Sequence, residues 1–420
     1  MTTHPLRVLL VTDSFPPNAG GSGWSTYELG RQLRLRGHHV SVVHAVPDAT
    51  SGINRTSYDD LLVTRVEASV PNVPVLRNVL KNEVLWATLE DVIRHEVDRV
   101  RPDILHAQHV MSTVPTVRAG HRVMLPVVAT VRDYWPVCYW SDLIHDATQP
   151  TLCPGCSVAG MRTCIPPRAG ALGRAAWTLI PYMRHNLRTK ACTLAQADAV
   201  IGVSSVITHD LLARAPELRY SRVETIPNPV DMSALVPPGA NSREPFVLYA
   251  GKLAVNKGVQ YLLPALDAAG VTWPLVVAGD GPLRQELEAE ATRRGRTVQW
   301  LGWQTREATL AVMRRAGLLA FPSYGPESLS RVLIEASALG TPIAAMDRGG
   351  TRDIVQHAET GLVSDTPDAF AADLGRLHAD ARLRARLGAA AAAFVRTRFE
   401  AGSVAARVEV VYRSVLEGRR

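Results

Sequence analysis

PESLSRVLIEASALGTPIAA, residues 326–345, sets two glutamates, Glu327 and Glu335, among apolar and small residues and one arginine. The neighbours Val332, Leu333, Ile334, Ala336 and Ala338 predict a largely buried helix. It is expected to begin near Glu327 and Ser328, to run to about Leu339 and to stop at Gly340. On such a helix, eight residues at 1.5 Å rise separate the two carboxylates by about 12 Å. A paired-carboxylate acid/base device needs ~5–9.5 Å, so the spacing argues against one. It fits two clamps on the ends of one long ligand, each accepting from vicinal hydroxyls, with free N–H groups of the helix start meeting phosphates between them. A solvent-facing Glu335 is the alternative, and its apolar neighbours weigh against it.

Around this stretch the chain alternates short apolar runs with helical patterns. FVLYAG (246–251), PLVVAGDG (274–281), VQWLG (298–302), LLAFPS (318–323) and PIAA (342–345) read as short buried strands. The N-terminal half repeats the texture. Residues 6–11 form a nearly continuous apolar run, followed by the glycine-rich loop at Gly20 and Gly21. A helix then runs from about Trp24 to a stop at Gly37, and a second strand spans 40–46. Further buried strands are expected at 104–106, 127–131 and 200–203. The stretch IPNPVDMSALVPPGA, 226–240, has a linker's composition. The fold class is therefore α/β, with two doubly wound domains that bind ligands at the carboxyl ends of their strands and meet at a cleft. The tail beyond about Ala379 reads as helix.

The 420 residues carry 46 Lys and Arg against 39 Asp and Glu, a net charge of +7. No apolar run approaches the ~18 residues of a membrane span. The start, MTTHPLRVLLVTDSF, lacks the n-region, h-region and cleavage site of a leader. A cytoplasmic protein is expected. From Ala147 to Ala197 there is no Asp or Glu, while Arg162, Arg168, Arg174, Arg184, Arg188 and Lys190 are present. Such a stripe suits an anionic partner: lipid head groups at the inner membrane face, a phosphorylated acceptor or nucleic acid. A solvated arginine-rich surface is the plain alternative. Cys138, Cys153, Cys156 and Cys164 fall within 27 residues, with Cys153 and Cys156 at ligand spacing. They are candidates for a structural four-cysteine zinc site, against a set of unligated thiols.

Two further loops carry chemistry. GKLAVNKGVQYL puts Lys252, Lys257 and Gly258 between a strand and a helix start, where cations and backbone N–H groups suit phosphate. AGDGPL, 278–283, lets a ligand approach the backbone closely. GGSGW, 20–24, superficially suggests a dinucleotide fingerprint, but its glycines do not have G-x-G-x-x-G spacing.

Together, ESLSRVLIE with its two glutamates, FPS before it, EASALGTPI after it, and GKLAVNKG, GDGPL, FPPNAGG and IPNPVD in order resemble the GT-B glycosyltransferases, specifically the retaining family 4 group. The resemblance covers nearly the whole chain. It implies an N-terminal acceptor-side Rossmann-like domain over 1–232 with a cysteine-containing insertion at about 136–170. A nucleotide-sugar-binding domain would span 233–395, and a helix at 396–420 would pack back on the first domain. It also implies Glu335 on the ribose, Glu327 on the donor sugar with Ser328, Leu329 and Ser330 beside it, and Lys252 and Lys257 on the diphosphate. Gly20 and Gly21 would face diphosphate and acceptor, and Gly302 would lie by the base. In DILHAQHV, 103–110, Gln108 or His109 takes the place of a histidine near the reacting sugar. In TVRDYW, 130–135, Arg132 stands where a subgroup has histidine and could meet an anionic sugar or acceptor. The implied catalytic residues are Glu327, Lys257 and His109. The implied reaction is metal-independent transfer from a nucleoside-diphosphate sugar to an unidentified acceptor, with no required cofactor and no nucleic-acid partner. An epimerase of the same fold and a non-catalytic glycan- or membrane-binding module are the alternatives.

Overall fold

The computed structural model describes residues 4–17, 19–48, 51–69, 77–146, 151–239 and 242–419. In the first half of the chain, the strands in order are β1 (Arg7–Thr12), β2 (His39–Asp48), β3 (Gly52–Tyr58), β4 (Leu61–Ser69), β5 (Ile104–Ala107) and β6 (Val127–Val131). The hairpin β7 (Ile144–Asp146) and β8 (Thr151–Leu152) follows, then β9 (Ala199–Gly202) and β10 (Val223–Thr225). In the second half come β11 (Glu244–Ala250), β12 (Leu275–Ala278), β13 (Val298–Gly302), β14 (Ala316–Phe321), β15 (Ile343–Met346) and β16 (Leu362–Ser364). The chain divides into two compact units. Unit 1 comprises Met1–Asp142, Gly155–Pro229 and Ala401–Arg420; unit 2 comprises Leu143–Pro154 and Val230–Glu400. The breaks thus fall at 229/230 and 400/401, and residues 143–154 of the expected insertion go with unit 2.

Unit 1 holds a sheet in the order β10-β9-β6-β5-β1-β2-β4-β3, parallel except where β3 runs antiparallel to β4. Val8, Leu9, Leu10 and Val11 of β1 are buried. A central parallel strand covered on both faces reads as such a continuous apolar run. The helix Ala401–Glu417 lays Val404, Val408, Val411 and Tyr412 into the same core as Val8 and Leu10. Successive strands run outward from β1 in one direction through β2 and in the other through β5 and β6. The strand order therefore reverses between β1 and β5, and doubly wound sheets bind ligands outside the carboxyl ends at such a point.

Unit 2 is built on the same principle. Its all-parallel sheet has the order β13-β12-β11-β14-β15-β16. Val247, Tyr249, Leu318 and Ala320 share one apolar core with Leu262, Leu266, Phe370 and Leu374 from the covering helices. Here the order reverses between β11 and β14. The loop after β11 carries Lys252 and Lys257, and the loop after β14 carries Glu327. The expected glutamate-bearing helix forms, but as Arg331–Ala338, with Ser330 as its N-cap. Glu327 therefore stands three residues before the cap, in an irregular loop, and the spacing of about 12 Å along a helix axis does not apply to the pair.

Candidate functional site

In unit 2, the loops that follow the strands are held against one another through their backbones. Gly258 sits at φ +67, and a Cβ added there would come within 1.8 Å of the Pro322 carbonyl oxygen. The N–H groups of Tyr324 and Gly325 both donate to the Asn256 carbonyl, at 3.2 and 2.7 Å. Gly279 has φ +154, and a Cβ there would reach the Gly251 carbonyl oxygen at 1.9 Å. On the other side, Gly350 donates its N–H to the Glu327 carbonyl at 2.7 Å, while a Cβ on Gly349 would meet that oxygen at 2.0 Å. Glycine is required at these positions because the chains pass too closely for any side chain.

This scaffold brings together the residues singled out by the two sequence motifs. The Lys257 ammonium and the Ser323 hydroxyl both donate to Oε1 of Glu327. The Glu327 side chain is mostly enclosed at 11% exposure, while Lys257 at 33% keeps one side toward solvent. Lys252 is exposed, with its carbonyl accepting from the Tyr249 hydroxyl at 2.8 Å. Leu329 is buried, and Ser330 accepts the Leu333 N–H at 3.4 Å as a helix cap. Its hydroxyl is thereby engaged in closing the helix start. Ser328 is partly exposed, and Gly302, at φ +68, ends β13 with open space around it.

Glu335 is a separate centre. It is buried at 5% exposure, and its Oε1 accepts from Nε of Arg306 at 2.8 Å and from Nε of Arg331 at 2.9 Å. The expected reading of an enclosed carboxylate fits this geometry, with its charge compensated by two guanidinium groups.

Unit 1 presents its own charged cluster, where β1, β5 and β6 end. His109 is the N-cap of the helix Val110–Arg122. Its Nδ1 lies 3.0 Å from Asp13 Oδ1, and its Nε2 lies 3.5 Å from Asp133 Oδ2. Asp13 also accepts the Met111 N–H at 3.2 Å, and Asp133 accepts the Trp135 N–H at 2.9 Å. Burial pulls the imidazole toward its neutral form, but the charge and hydrogen bond of Asp13, with help from Asp133, outweigh it and raise the pKa. Burial raises the pKa of Asp133 against the opposing pull of His109. Gln108 and Arg132, the other acceptor-side candidates, are engaged with each other. Both are buried, with Arg132 donating to the carbonyl of Gln108, to its Oε1 at 2.7 Å and to Asn228 Oδ1 at 2.9 Å. Burial pushes Arg132 down to about 10. Held this way, Arg132 braces the strand ends against each other.

Residues 19–234 match the model of Glycosyltransferase Family 4, and residues 235–394 match that of Glycosyl transferases group 1. The chain belongs to the family 4 glycosyltransferases. D-inositol 3-phosphate glycosyltransferase of Xylanimonas cellulosilytica is 32% identical over 430 residues, covering 96% of this chain and 93% of that one. Alpha-D-kanosaminyltransferase of Streptomyces kanamyceticus is 30% identical over 179 residues, covering 41% of this chain and only 46% of that protein. Anabaena HepE in complex with UDP shares the fold at a TM-score of 0.67, with 17% identity and coverage of 97% and 100%. The two parallel-sheet, Rossmann-like units are those of a GT-B glycosyltransferase.

Within this glycosyltransferase the two lysines, the serine and the glutamate of unit 2 suit a ligand that is both anionic and polyhydroxylated. Gly20 is the N-cap of the helix Gly21–Leu35 and supplies no side-chain cap, and a helix start of this kind suits an anion. Sequence reasoning passed over Asp13, Asp133, Ser323, Arg306 and Arg331. Asp13 directly follows the first buried strand, and that position was its signal. Arg331 lies one helical turn before Glu335, a spacing at which opposite charges meet. Among the described residues, no group of three or more His, Cys, Asp or Glu side chains could hold a metal ion. The four clustered cysteines therefore lend the zinc expectation no geometric support. The glycosyltransferase's basic segment packs Met161, Cys164, Ile165 and Ile180 into a small core, with Arg162 and Arg174 stacked on Trp177 and exposed. No helix of the described residues is long and apolar enough to cross a membrane.

Proposed function

We propose that this glycosyltransferase moves a sugar from a nucleoside-diphosphate sugar to an acceptor hydroxyl with retention at the anomeric carbon and without a divalent cation. The observation that carries the reading is the convergence of Lys257 and Ser323 on Glu327 at the point where the unit 2 sheet reverses its strand order. Lys257 turns from Glu327 to the diphosphate when donor binds, with Lys252 beside it. These fixed cations stabilise the charge that develops on the leaving nucleoside diphosphate, the part a metal plays in other enzymes. Glu327 then accepts from hydroxyls of the donor sugar, and Glu335 from those of the ribose. The bond between the anomeric carbon and the phosphate oxygen breaks, and the acceptor oxygen attaches to the same face. The acceptor's proton passes to an oxygen of the departing phosphate.

The test is a thermal-shift screen of the full chain against UDP-, GDP- and ADP-sugars, followed by product analysis with candidate acceptors. Stabilisation by one nucleotide series and a product that keeps the donor's anomeric configuration are expected. Inversion overturns the retaining reading. Hydrolysis to an altered free sugar without acceptor points to an epimerase. Stabilisation by NAD alone overturns the donor class.

A further inference from the structure

Glu335 is held in an uncommon way for a buried carboxylate. Both of its guanidinium partners direct Nε–H at the same oxygen, Oε1, and they come from different elements. Arg306 opens the helix Arg306–Arg315 that follows β13, while Arg331 opens the helix that carries Glu335 itself. Both of these bonds end on Oε1, so neither uses Oε2. A carboxylate anchored by one partner can turn about its side-chain bonds, whereas one anchored at a single oxygen from two directions presents the other oxygen in a fixed place. Such pre-organisation lowers the ordering cost of binding. The two guanidinium groups also offset the carboxylate's charge, and charge-assisted hydrogen bonds of this kind hold it firmly.

We infer that Arg306 and Arg331 are positioning residues that fix Oε1 of Glu335 so that Oε2 receives the vicinal hydroxyls of the nucleotide ribose. This deepens the proposed function and rests on its placement of Glu335 at the ribose. Neither arginine need touch the ligand. Their effect is expected in the discrimination between ribose and deoxyribose, which a purely structural ion pair would leave unchanged.

The experiment measures binding of UDP, GDP and ADP, and of their 2′-deoxy and 3′-deoxy forms, to the full chain by calorimetry. The wild type is expected to hold the preferred ribonucleotide about ten- to a hundred-fold more tightly than a deoxy form, the worth of a hydrogen bond to a charged acceptor. Glu335→Ala abolishes that ratio. Arg306→Met and Arg331→Met each reduce it several-fold, and Arg331→Lys recovers part. If both methionine variants keep the wild-type ratio while Glu335→Ala loses it, the positioning role is overturned and the ribose role stands. If Glu335→Ala keeps the ratio, the ribose role falls and takes the inference with it. Should Arg331→Met fail to fold, Arg306→Met decides, since its side chain is the more exposed of the two.

Discussion

The strand ends of unit 1 and unit 2 solve the same problem with different materials. In unit 1, Asp13 and Asp133 flank His109 with the charge of Arg132 nearby, and the cluster is held by charge. In unit 2, Gly258, Gly279 and Gly349 let backbone segments pass within a distance no side chain allows, and Lys257, Ser323 and Glu327 stand on that frame. One site is fixed by electrostatics, so proton loss from His109 should disturb it. The other is fixed by steric fit, so an added methyl group should disturb it. The lesson concerns where each can change. Unit 1 can be retuned by altering a partner of His109, while unit 2 keeps its charged side chains replaceable only so long as the glycines remain.

The sharpest break is at Lys257. Lys257→Met should leave Glu327 with its Ser323 hydrogen bond and leave the unfolding midpoint near that of the wild type. Transfer should nevertheless fall by about 10²–10³, the usual cost of removing one group that stabilises charge in the transition state. Steady-state rates at saturating donor check this. A loss of only a few-fold would show that Lys257 does no more than pair with Glu327.

Next in size is the contrast between two glycines. Gly258→Ala places a Cβ where the Pro322 carbonyl oxygen stands, at a positive φ. It should cost about 2–3 kcal/mol in denaturant titrations. Gly20→Ala in unit 1 meets nothing within 4 Å at φ −76 and should cost well under about 1 kcal/mol. Equal costs would remove the steric half of the comparison.

The same contrast explains what could be read before the structure. β1, β2, β5, β6 and β9 in unit 1 and β11, β12, β14 and β15 in unit 2 are short apolar runs, and such runs signal buried parallel strands. β13 is expected to be buried as well, but it stands at the sheet edge and stays partly exposed. β3 and β4 escape that signal. β3 is almost wholly exposed and β4 alternates buried Thr64, Val66 and Ala68 with Arg65 and Glu67, because they form the antiparallel edge. β10 and β16, at three residues each, are too short for any period. Lys257, Glu327 and Glu335 were legible as charges in apolar or glycine-rich settings. The helix start was not, since Ser328 and Ser330 are both suitable caps. What favours Ser330 is the hold of Gly350 on the Glu327 carbonyl and of Asn256 on the preceding residues, contacts that no local pattern encodes. Arg306 reaches Glu335 across 29 positions for the same reason. The partners of Arg132, Gln108 and Asn228, were not legible either, since Asn228 lies 96 positions away.

The smallest effect probes the electrostatic half. His109 has a folded pKa raised above its unfolded value of about 6.5. The stabilisation that comes with its charge is therefore complete below that unfolded value and is lost as pH rises through the folded one. Asp13→Asn takes away the largest partner that raises it, yet still offers an oxygen to the Met111 N–H. Asp133 and the opposing charge of Arg132 continue to face the ring. The variant should lose about 1 kcal/mol near about pH 6 relative to wild type, and the gap should close toward about pH 9. In imidazole carbon–proton spectra, the His109 titration should move to lower pH. The deficit of Gly258→Ala, which involves no titrating group, should stay level across the same range. A gap for Asp13→Asn that is equally flat would mean that Asp13 serves only as an acceptor for the helix start. Both clusters would then be backbone devices, and the distinction between the two units would be one of composition alone.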